Sequence, residues 1–357
     1  MPDDDLRLAI LGYGLAGSTF HAPLITAVPG LRVAAVVTSD AARADSARAA
    51  LPQVEVLERP EEVWARADQL DGVVIATPNR THVPLAHQAI EAGLPVVVDK
   101  PLATSSADAE ALVSEAERRG VLLTTYQNRR WDADFQTVRA LVYEGDLGRV
   151  HRFESRFERW RPVPKPGWRE SGDPADAGGL LNDLGSHLVD QALQLFGDVR
   201  RVYAEVDVRR PTVAVDDDVL LALEHGDGVR STLWASALAA DLGPRFRVLG
   251  DRGAYVVHGL DGQEAALRSG GTPADPSWGE VPAERWGVLT TGEESRTQPS
   301  RPGAWQEFYF RWRDALRGSG SPPVDPRDAV RMLCVVEAAR ASAAEHRVVE
   351  LGSELAG

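Results

Sequence analysis

Along residues 6–127 the chain alternates short, continuously apolar runs with stretches of helical periodicity. The runs are "LRLAILG", "LRVAAVVT", "GVVIAT", "LPVVVDK" and "VLLTTYQ", and between them lie alanine-rich segments such as "AARADSARAALP" and "THVPLAHQAIEAG". Strands that are apolar on both faces and separated by helices predict a parallel sheet covered on both sides. Gly93 before "LPVVV" and Gly120 before "VLLTT" stand where a helix would end and turn into the next strand.

After about residue 128 the pattern changes. "VHRFESRFERW", "VRRVYAEVDVRR", "DDVLLALEH", "GVRSTLWASAL" and "PRFRVLGDRGAYVVHG" alternate apolar with polar positions. They are joined by turn signals at His225-Gly226-Asp227-Gly228 and Gly250-Asp251-Arg252-Gly253. This predicts a mainly antiparallel sheet with one buried face and one face that is polar or engaged in an interface. Helical patterns fall at about 178–196, 304–317 and 326–345, and residues 259–302 read as a long excursion rich in Gly, Pro, Ser and Trp. The expected fold is α/β: a doubly wound parallel sheet over 1–127, then an α+β domain over 128–357 built on a large, open-faced sheet.

Composition narrows the function classes. A chain of 357 residues is long for one core, and 43% hydrophobic with 26% charged residues describes an ordinary globular protein. A net charge of −14 argues against a nucleic-acid partner, which needs clustered Lys and Arg. The single cysteine, Cys334, excludes an intrachain disulfide and a cysteine metal cluster, and suits a reducing compartment. "MPDDDLRLAILGYG" lacks a basic n-region, and no apolar run approaches the roughly 18–20 residues that span a bilayer. No signal peptide and no membrane partner are expected, and the cytoplasm is the expected location.

The candidate chemistry begins at "LAILGYGLAGSTF", which places Gly12, Gly14, Leu15, Ala16 and Gly17 between the first strand and a helix. In such a Gly-x-Gly-x-x-Gly turn the first glycine permits the tight turn, the second lets backbone approach a pyrophosphate, and the third lets helix pack on strand. The helix N-terminus adds N–H donors for phosphate. About 20 residues on, where an acid would hold an NAD ribose, stand Thr38 and Ser39, with Arg43 one turn later. Two hydroxyls and an arginine favour the 2′-phosphate of NADP(H); Asp40, one residue further on, keeps NAD(H) as the alternative. "VIATPNRTH" puts Thr77, Pro78, Asn79 and His82 at a strand C-terminus, where open α/β sheets bind ligands, although a helix cap with a proline turn explains Thr77 and Pro78 nearly as well and His82 alone fits a structural role equally.

In "DAGGLLNDLGSHLVDQALQLFG", Asp183 and His187 share one helical face, which Asp190 and Gln191 extend, while Leu184, Leu188, Ala192 and Leu195 form an inward stripe. Gly178, Gly179 and Gly185 each cost a helix around 1 kcal/mol relative to alanine, a cost easier to understand where something approaches closely. A carboxylate that orients a histidine makes a workable acid/base pair; a solvated polar helix face is the plainer reading of an isolated Asp-x-x-x-His. No cysteine or second closely spaced histidine supports a metal here. Finally, Lys100 in "VVVDKPLAT" and Lys165 are the only lysines among 39 basic residues. Lysine, unlike arginine, can be tuned by its surroundings to release a proton.

Together "GYGLAG", "TPNRTH", "DKP" and "GGLLNDLGSHLVD" resemble the glucose–fructose oxidoreductase/inositol dehydrogenase (Gfo/Idh/MocA) family, in the family's order and through nearly the whole chain. "TFHAPLI", "YQNRRWDADF" and "DGQEAALRSGGTPADPSWG" look like its NADP-dependent scyllo-inositol dehydrogenase branch. The resemblance implies a Rossmann domain, a second domain whose open sheet face builds a homodimer or homotetramer, and an active site between the domains. It implies hydride transfer between a nicotinamide and a carbon bearing a cyclitol or sugar hydroxyl. Carried over by position, Lys100 hydrogen-bonds the reacting hydroxyl, His187 is the acid/base, and Asp183 orients substrate and histidine. Asp99 and Asn128 fall beside the cofactor, Asn128 also beside substrate, and Arg129, Trp168 and Arg169 are further pocket candidates. Asp99 stands where glutamate is commoner, and "AGGLLND" carries one glycine fewer than many members. Rival readings are another sugar or a dihydrodiol as substrate, or an NADP-binding regulator without turnover.

Overall fold

The computed structural model describes residues 5–164, 167 and 170–352. It divides into two compact units, the first holding the chain up to Asn128 together with Gln263–Trp278 and Ala304–Ala329. In that unit the strands β1 (Leu6–Leu11), β2 (Leu31–Val37), β3 (Glu55–Leu57), β4 (Gly72–Ile75), β5 (Val96–Asp99) and β6 (Leu123–Tyr126) form one sheet in the order β3-β2-β1-β4-β5-β6. Every pairing is parallel. The helices α1 (Ala22–Thr26), α2 (Ala41–Ala50), α3 (Glu61–Trp64), α4 (His82–Glu91) and α5 (Ser106–Arg119) connect them. The apolar runs form the core of this sheet: Leu8–Leu11, Val73–Ile75 and Val96–Val98 are all at 0% exposure. Only β3 has no counterpart among those runs, because it is a three-residue edge strand with one buried side chain, Leu57. Gly93 (φ +73°) and Gly120 (φ +67°) do end α4 and α5 in the left-handed region.

The second unit holds Arg129–Gly262, Gly279–Gly303 and the chain from Val330. Its nine strands are β7 (Val150–Glu158), β8 (Val199–Asp207), β9 (Asp218–His225), β10 (Arg230–Ser236), β11 (Phe246–Gly250), β12 (Ala254–Val257), β13 (Gly287–Thr291), β14 (Glu294–Gln298) and β15 (Val349–Glu350). Their order is β14-β13-β12-β11-β7-β10-β9-β8-β15. β7 and β10 run parallel and the other pairs antiparallel. The alternation is literal in β9, where Val219, Leu221 and Leu223 are buried while Leu220 and Ala222 face outward. The helices α6 (Ala133–Tyr143) and α7 (Ser186–Phe196) pack on the sheet.

Two features differ from the contiguous division at residue 128. The excursion over 259–302 is not structureless: it contains α8 (Gln263–Arg268) and the hairpin β13–β14, which lengthens the second sheet. β14 escapes the hydrophobic pattern because four of its five residues are exposed. Residues 263–278 and 304–329, which include α8 and α9 (Gln306–Leu316), rejoin the first unit. There Trp305, Phe308, Tyr309 and Trp312 are buried, with Phe20 edge-on to Trp305 and Tyr126 edge-on to Phe308. The division between units falls inside the last helix, α10 (Pro326–Glu345).

Candidate active site

In the first unit the glycine-rich turn leaves β1 at Gly12, whose φ of +91° lies in the left-handed region. A Cβ there would sit 2.7 Å from the Ala76 carbonyl oxygen and 3.0 Å from Thr77 Cγ2, so Gly12 lets the ends of β1 and β4 approach. At Gly14 a Cβ would meet nothing closer than Arg43 Nη1, 3.9 Å away. That open position beside a helix N-terminus fits a phosphate group, and Arg43 stands beside it. The helix opens with a π turn over Ala16–His21, fastened by the Ser18 N–H (2.9 Å) and hydroxyl (2.8 Å), both donating to the Gly14 carbonyl. Leu15 is exposed.

At the end of β2 the Thr38 N–H donates to the Leu57 carbonyl at 2.9 Å, and the Thr38 hydroxyl accepts from the Asp40 N–H at 3.3 Å. Ser39 and Arg43 are exposed. Asp40 caps α2: its carboxylate accepts from the Arg43 N–H at 2.9 Å, one of the helix's free donors. Its other oxygen lies 4.0 Å from Arg43 Nε, so cap and guanidinium form one pair at the start of α2.

At the end of β4 the Thr81 hydroxyl lies 2.7 Å from both Thr77 Oγ1 and the Pro78 carbonyl, and Asn79 is buried. His82, at 1% exposure, turns both ring nitrogens to backbone: Nδ1 is 2.7 Å from the Pro101 carbonyl and Nε2 is 2.9 Å from the Thr77 carbonyl. Of the two roles the sequence left open for His82, cofactor contact and structural residue, these contacts fit the second. Asp99 also turns inward, Oδ1 accepting the Lys100 N–H at 2.8 Å. Lys100 is half-buried, and its peptide bond to Pro101 is cis. Asn128, the last residue of this unit's first segment, is 7% exposed.

Behind this strand end lies a residue to which the sequence pattern assigned no role. His21 is fully buried, with Nδ1 2.6 Å from the Tyr309 hydroxyl and its ring 4.4 Å from that of Tyr126. Burial lowers its pKa to about 4; the charge of Asp99 opposes that shift and His82 adds to it. Burial raises the Tyr309 pKa, so its hydroxyl stays protonated and can donate to the imidazole. "TFHAPLI" held the signal, but its partner Tyr309 lies 288 residues away.

In the second unit Asp183 falls in a π turn, Leu181–Gly185, that runs directly into α7, and His187 sits in the first α turn at 5% exposure. The predicted inward stripe is present, with Leu184, Leu188, Ala192 and Leu195 buried. The other face is not solvated, since Asp190 is 2% and Gln191 0% exposed. Asp190 accepts a forked pair from Arg130 at 2.5 and 2.9 Å. Gln191 accepts from Arg245 Nη2 at 2.8 Å and donates to the Arg129 carbonyl at 3.0 Å. Arg245 also reaches Ser155 Oγ at 2.6 Å and the Asp134 carboxylate at 3.2 Å. Burial lowers the Arg245 pKa, and Asp134 and Asp132 oppose the shift. Buried, paired charges of this kind fix a conformation, and removing one partner typically costs about 3–5 kcal/mol.

Arg129, expected at the substrate, is 8% exposed, lies 3.3 Å from Asp132 and stacks over Phe157 at 4.6 Å. At Gly179 (φ +91°) the close approach is made by protein: a Cβ there would strike the carboxylate of Asp216. Asp216 caps the helix start, its carbonyl accepting from Leu180 N–H at 2.9 Å and its carboxylate from Leu181 N–H at 2.6 Å, while Arg340 pairs with it at 3.3 Å. Trp168, Arg169 and Lys165 lie outside the described residues. Among the described residues no cluster of His, Cys, Asp and Glu could hold a metal ion, and no helix is long and apolar enough to cross a membrane.

Comparison with known proteins agrees with this geometry. Residues 6–127 match the family model of an oxidoreductase family with an NAD-binding Rossmann fold, and residues 135–256 match the GFO/IDH/MocA C-terminal domain. A scyllo-inositol 2-dehydrogenase (NADP(+)) of Bacillus subtilis is 34% identical over 98% of this chain and 96% of its own. A D-apiose dehydrogenase of Paraburkholderia graminis is 31% identical over 97% of this chain and 89% of its own. A solved Yersinia pestis structure, provisionally assigned as an oxidoreductase, is 37% identical over 99% of both chains with a TM-score of 0.91. The chain belongs to the Gfo/Idh/MocA family of NAD(P)-dependent oxidoreductases.

Proposed function

We propose that the protein interconverts a secondary alcohol and a ketone of a cyclitol, with scyllo-inositol and its keto-inositol as the substrate pair and NADP(H) as the preferred cofactor. The cofactor reading is carried by the guanidinium of Arg43 beside the open position at Gly14, together with the use of Asp40 as a helix cap. An arginine there attracts a 2′-phosphate, which a free carboxylate would repel. The Bacillus relative supports the substrate class; the apiose-oxidising relative favours a sugar as the second reading. The half-exposed outward residues Leu220, Trp234 and Leu249 suit a homodimer or homotetramer formed through the large sheet.

Oxidation of the alcohol removes a hydride from carbon and a proton from oxygen. The bound nicotinamide supplies the hydride acceptor. Lys100 hydrogen-bonds the reacting hydroxyl and stabilises its developing negative charge. His187 takes the proton as general base and returns it in the reductive direction, and Asp183 holds substrate and imidazole in orientation. Asn128 and the strand-end groups at Thr77, Pro78 and Asn79 complete the polar surroundings.

The test is a panel of cyclitols, aldoses and anhydro sugars assayed with both cofactors by nicotinamide absorbance. Turnover is expected with a cyclitol, with higher kcat/KM for NADP(H), and Lys100→Arg and His187→Ala should each lose roughly 10²–10⁴-fold in kcat while still binding cofactor. A preference for NAD(H) removes the NADP reading. Turnover unchanged in both variants removes the assigned roles, and no turnover with any substrate leaves the regulator.

A further inference from the structure

We propose that His82 is the positioning residue of Lys100: it ties the turn after β5 to the loop after β4 and so sets the backbone from which the lysine side chain projects. The inference rests on the reading that Lys100 acts on the reacting hydroxyl. His82 begins α4 at 1% exposure, and its two ring nitrogens bridge neighbouring strand ends, 2.9 Å to the Thr77 carbonyl and 2.7 Å to the Pro101 carbonyl. β4 and β5 pair in parallel only as far as Ile75 and Val98. Past that point the ladder stops, and His82 continues the connection between the two strands with a side chain.

The grip on Lys100 is two-sided. On one side the Asp99 carboxylate accepts the Lys100 N–H at 2.8 Å. On the other, His82 holds the carbonyl of the next residue, and Leu102 and Ala103 beyond it are buried at 0% and 1%. The side chain between these anchors is half-buried, and its backbone is held from both sides. A neutral imidazole donates from one nitrogen only, so donation to both carbonyls takes a proton on each. Both ring nitrogens face backbone carbonyl oxygens, and a nitrogen that carries a proton donates to the carbonyl it faces. His82 should therefore matter to the chemical step more than to cofactor affinity, which separates it from a cofactor contact.

The lysine content of the chain makes this measurable, because Lys100 and Lys165 are its only lysines. In a Lys165→Arg parent labelled with 13C-lysine, the single Cε signal reports Lys100 without any turnover. That signal is expected away from the free-lysine position in the parent, to move towards it in His82→Ala, and to lie between the two in His82→Gln. In the same background His82→Ala should lower kcat roughly 10- to 100-fold, the cost of misplacing a reacting group by about an ångström, with the NADPH Kd within about twofold. Adding His82→Ala to Lys100→Met should cause no further loss, since the two changes act through one group. If His82→Ala fails to fold, His82→Gln carries the same comparisons. An unchanged Lys100 signal, a tenfold weaker Kd with kcat retained at saturating cofactor, or full additivity with Lys100→Met would each overturn the proposal. Absence of polyol turnover would remove the proposed function, and the lysine signal would still test His82 independently.

Discussion

His21 shows how one buried side chain couples the first unit to pH. Its neutral ring is satisfied at Nδ1 by the Tyr309 hydroxyl and stacked near Tyr126, and burial holds its pKa at about 4 against 6.5 in the unfolded chain. Between those values the unfolded chain binds more protons than the folded one. The stability contributed by the neutral ring is complete above pH 6.5 and is lost as pH falls towards 4. The full shift corresponds to about 3 kcal/mol. His21→Gln should flatten the acid limb of urea midpoints across that window, while costing some stability at pH 7.5. His225 leaves a residual slope, because burial lowers its pKa as well. Equal slopes in protein and variant would show that another group titrates. From sequence, His21 was only one polar letter in an apolar stretch; its 288-residue separation from Tyr309 kept its role out of reach.

At the level of elements, a glycine's meaning depends on what stands opposite. Gly12 and Gly93 both have positive φ, +91° and +73°, yet only Gly12 faces the backbone of another strand. Gly12→Ala should combine backbone strain with a clash against Ala76, costing about 3 kcal/mol and abolishing dinucleotide binding. Gly93→Ala, with nothing within 4 Å of the added methyl, should cost about 1–2 kcal/mol and leave binding intact. Thermal midpoints and a dinucleotide titration compare the two, and equal losses would contradict the argument. The glycine-rich turn was legible because its spacing follows a strand and opens a helix. The π turn carrying Asp183 was not: periodicity supported a helix from about 178, whereas helical bonding starts near Leu181, after Asp216 has capped the chain. Asp216 lies 35 residues downstream, and no local pattern announces it.

For the molecule as a whole, the first unit is not a contiguous piece of sequence. Trp305, Phe308, Tyr309 and Trp312 fill its core from α9 and the residue before it, and the Thr124 hydroxyl donates to the Val324 carbonyl at 2.7 Å. Full burial of each large apolar side chain stabilises by about 1.5–3 kcal/mol, so four together rival the roughly 5–15 kcal/mol that hold a domain folded. A chain ending at Asn128 should therefore show no cooperative urea transition, and appending residues 304–329 through a flexible linker should restore one. A cooperative transition in the shorter chain would mean that the parallel sheet suffices. Hydrophobic pattern marked a change of periodicity after β6, but it carries no information about which sheet a later helix joins.

Neighbours along the chain were enough to specify the parallel strands of the first sheet, the glycine-rich turn, the alternating strands of the second and the inward stripe of α7. These follow from period, turn chemistry and spacing, all of which are local. Tertiary structure settled what depends on distant partners. It turned the polar face of α7 into a buried ionic network with Arg130 and Arg245, and returned α9 to the first unit. It also gave His82 its two backbone carbonyls on neighbouring strand ends. In each case the deciding cost is leaving a buried charge, donor or aromatic ring without a partner, and that partner is chosen by the fold rather than by proximity in sequence.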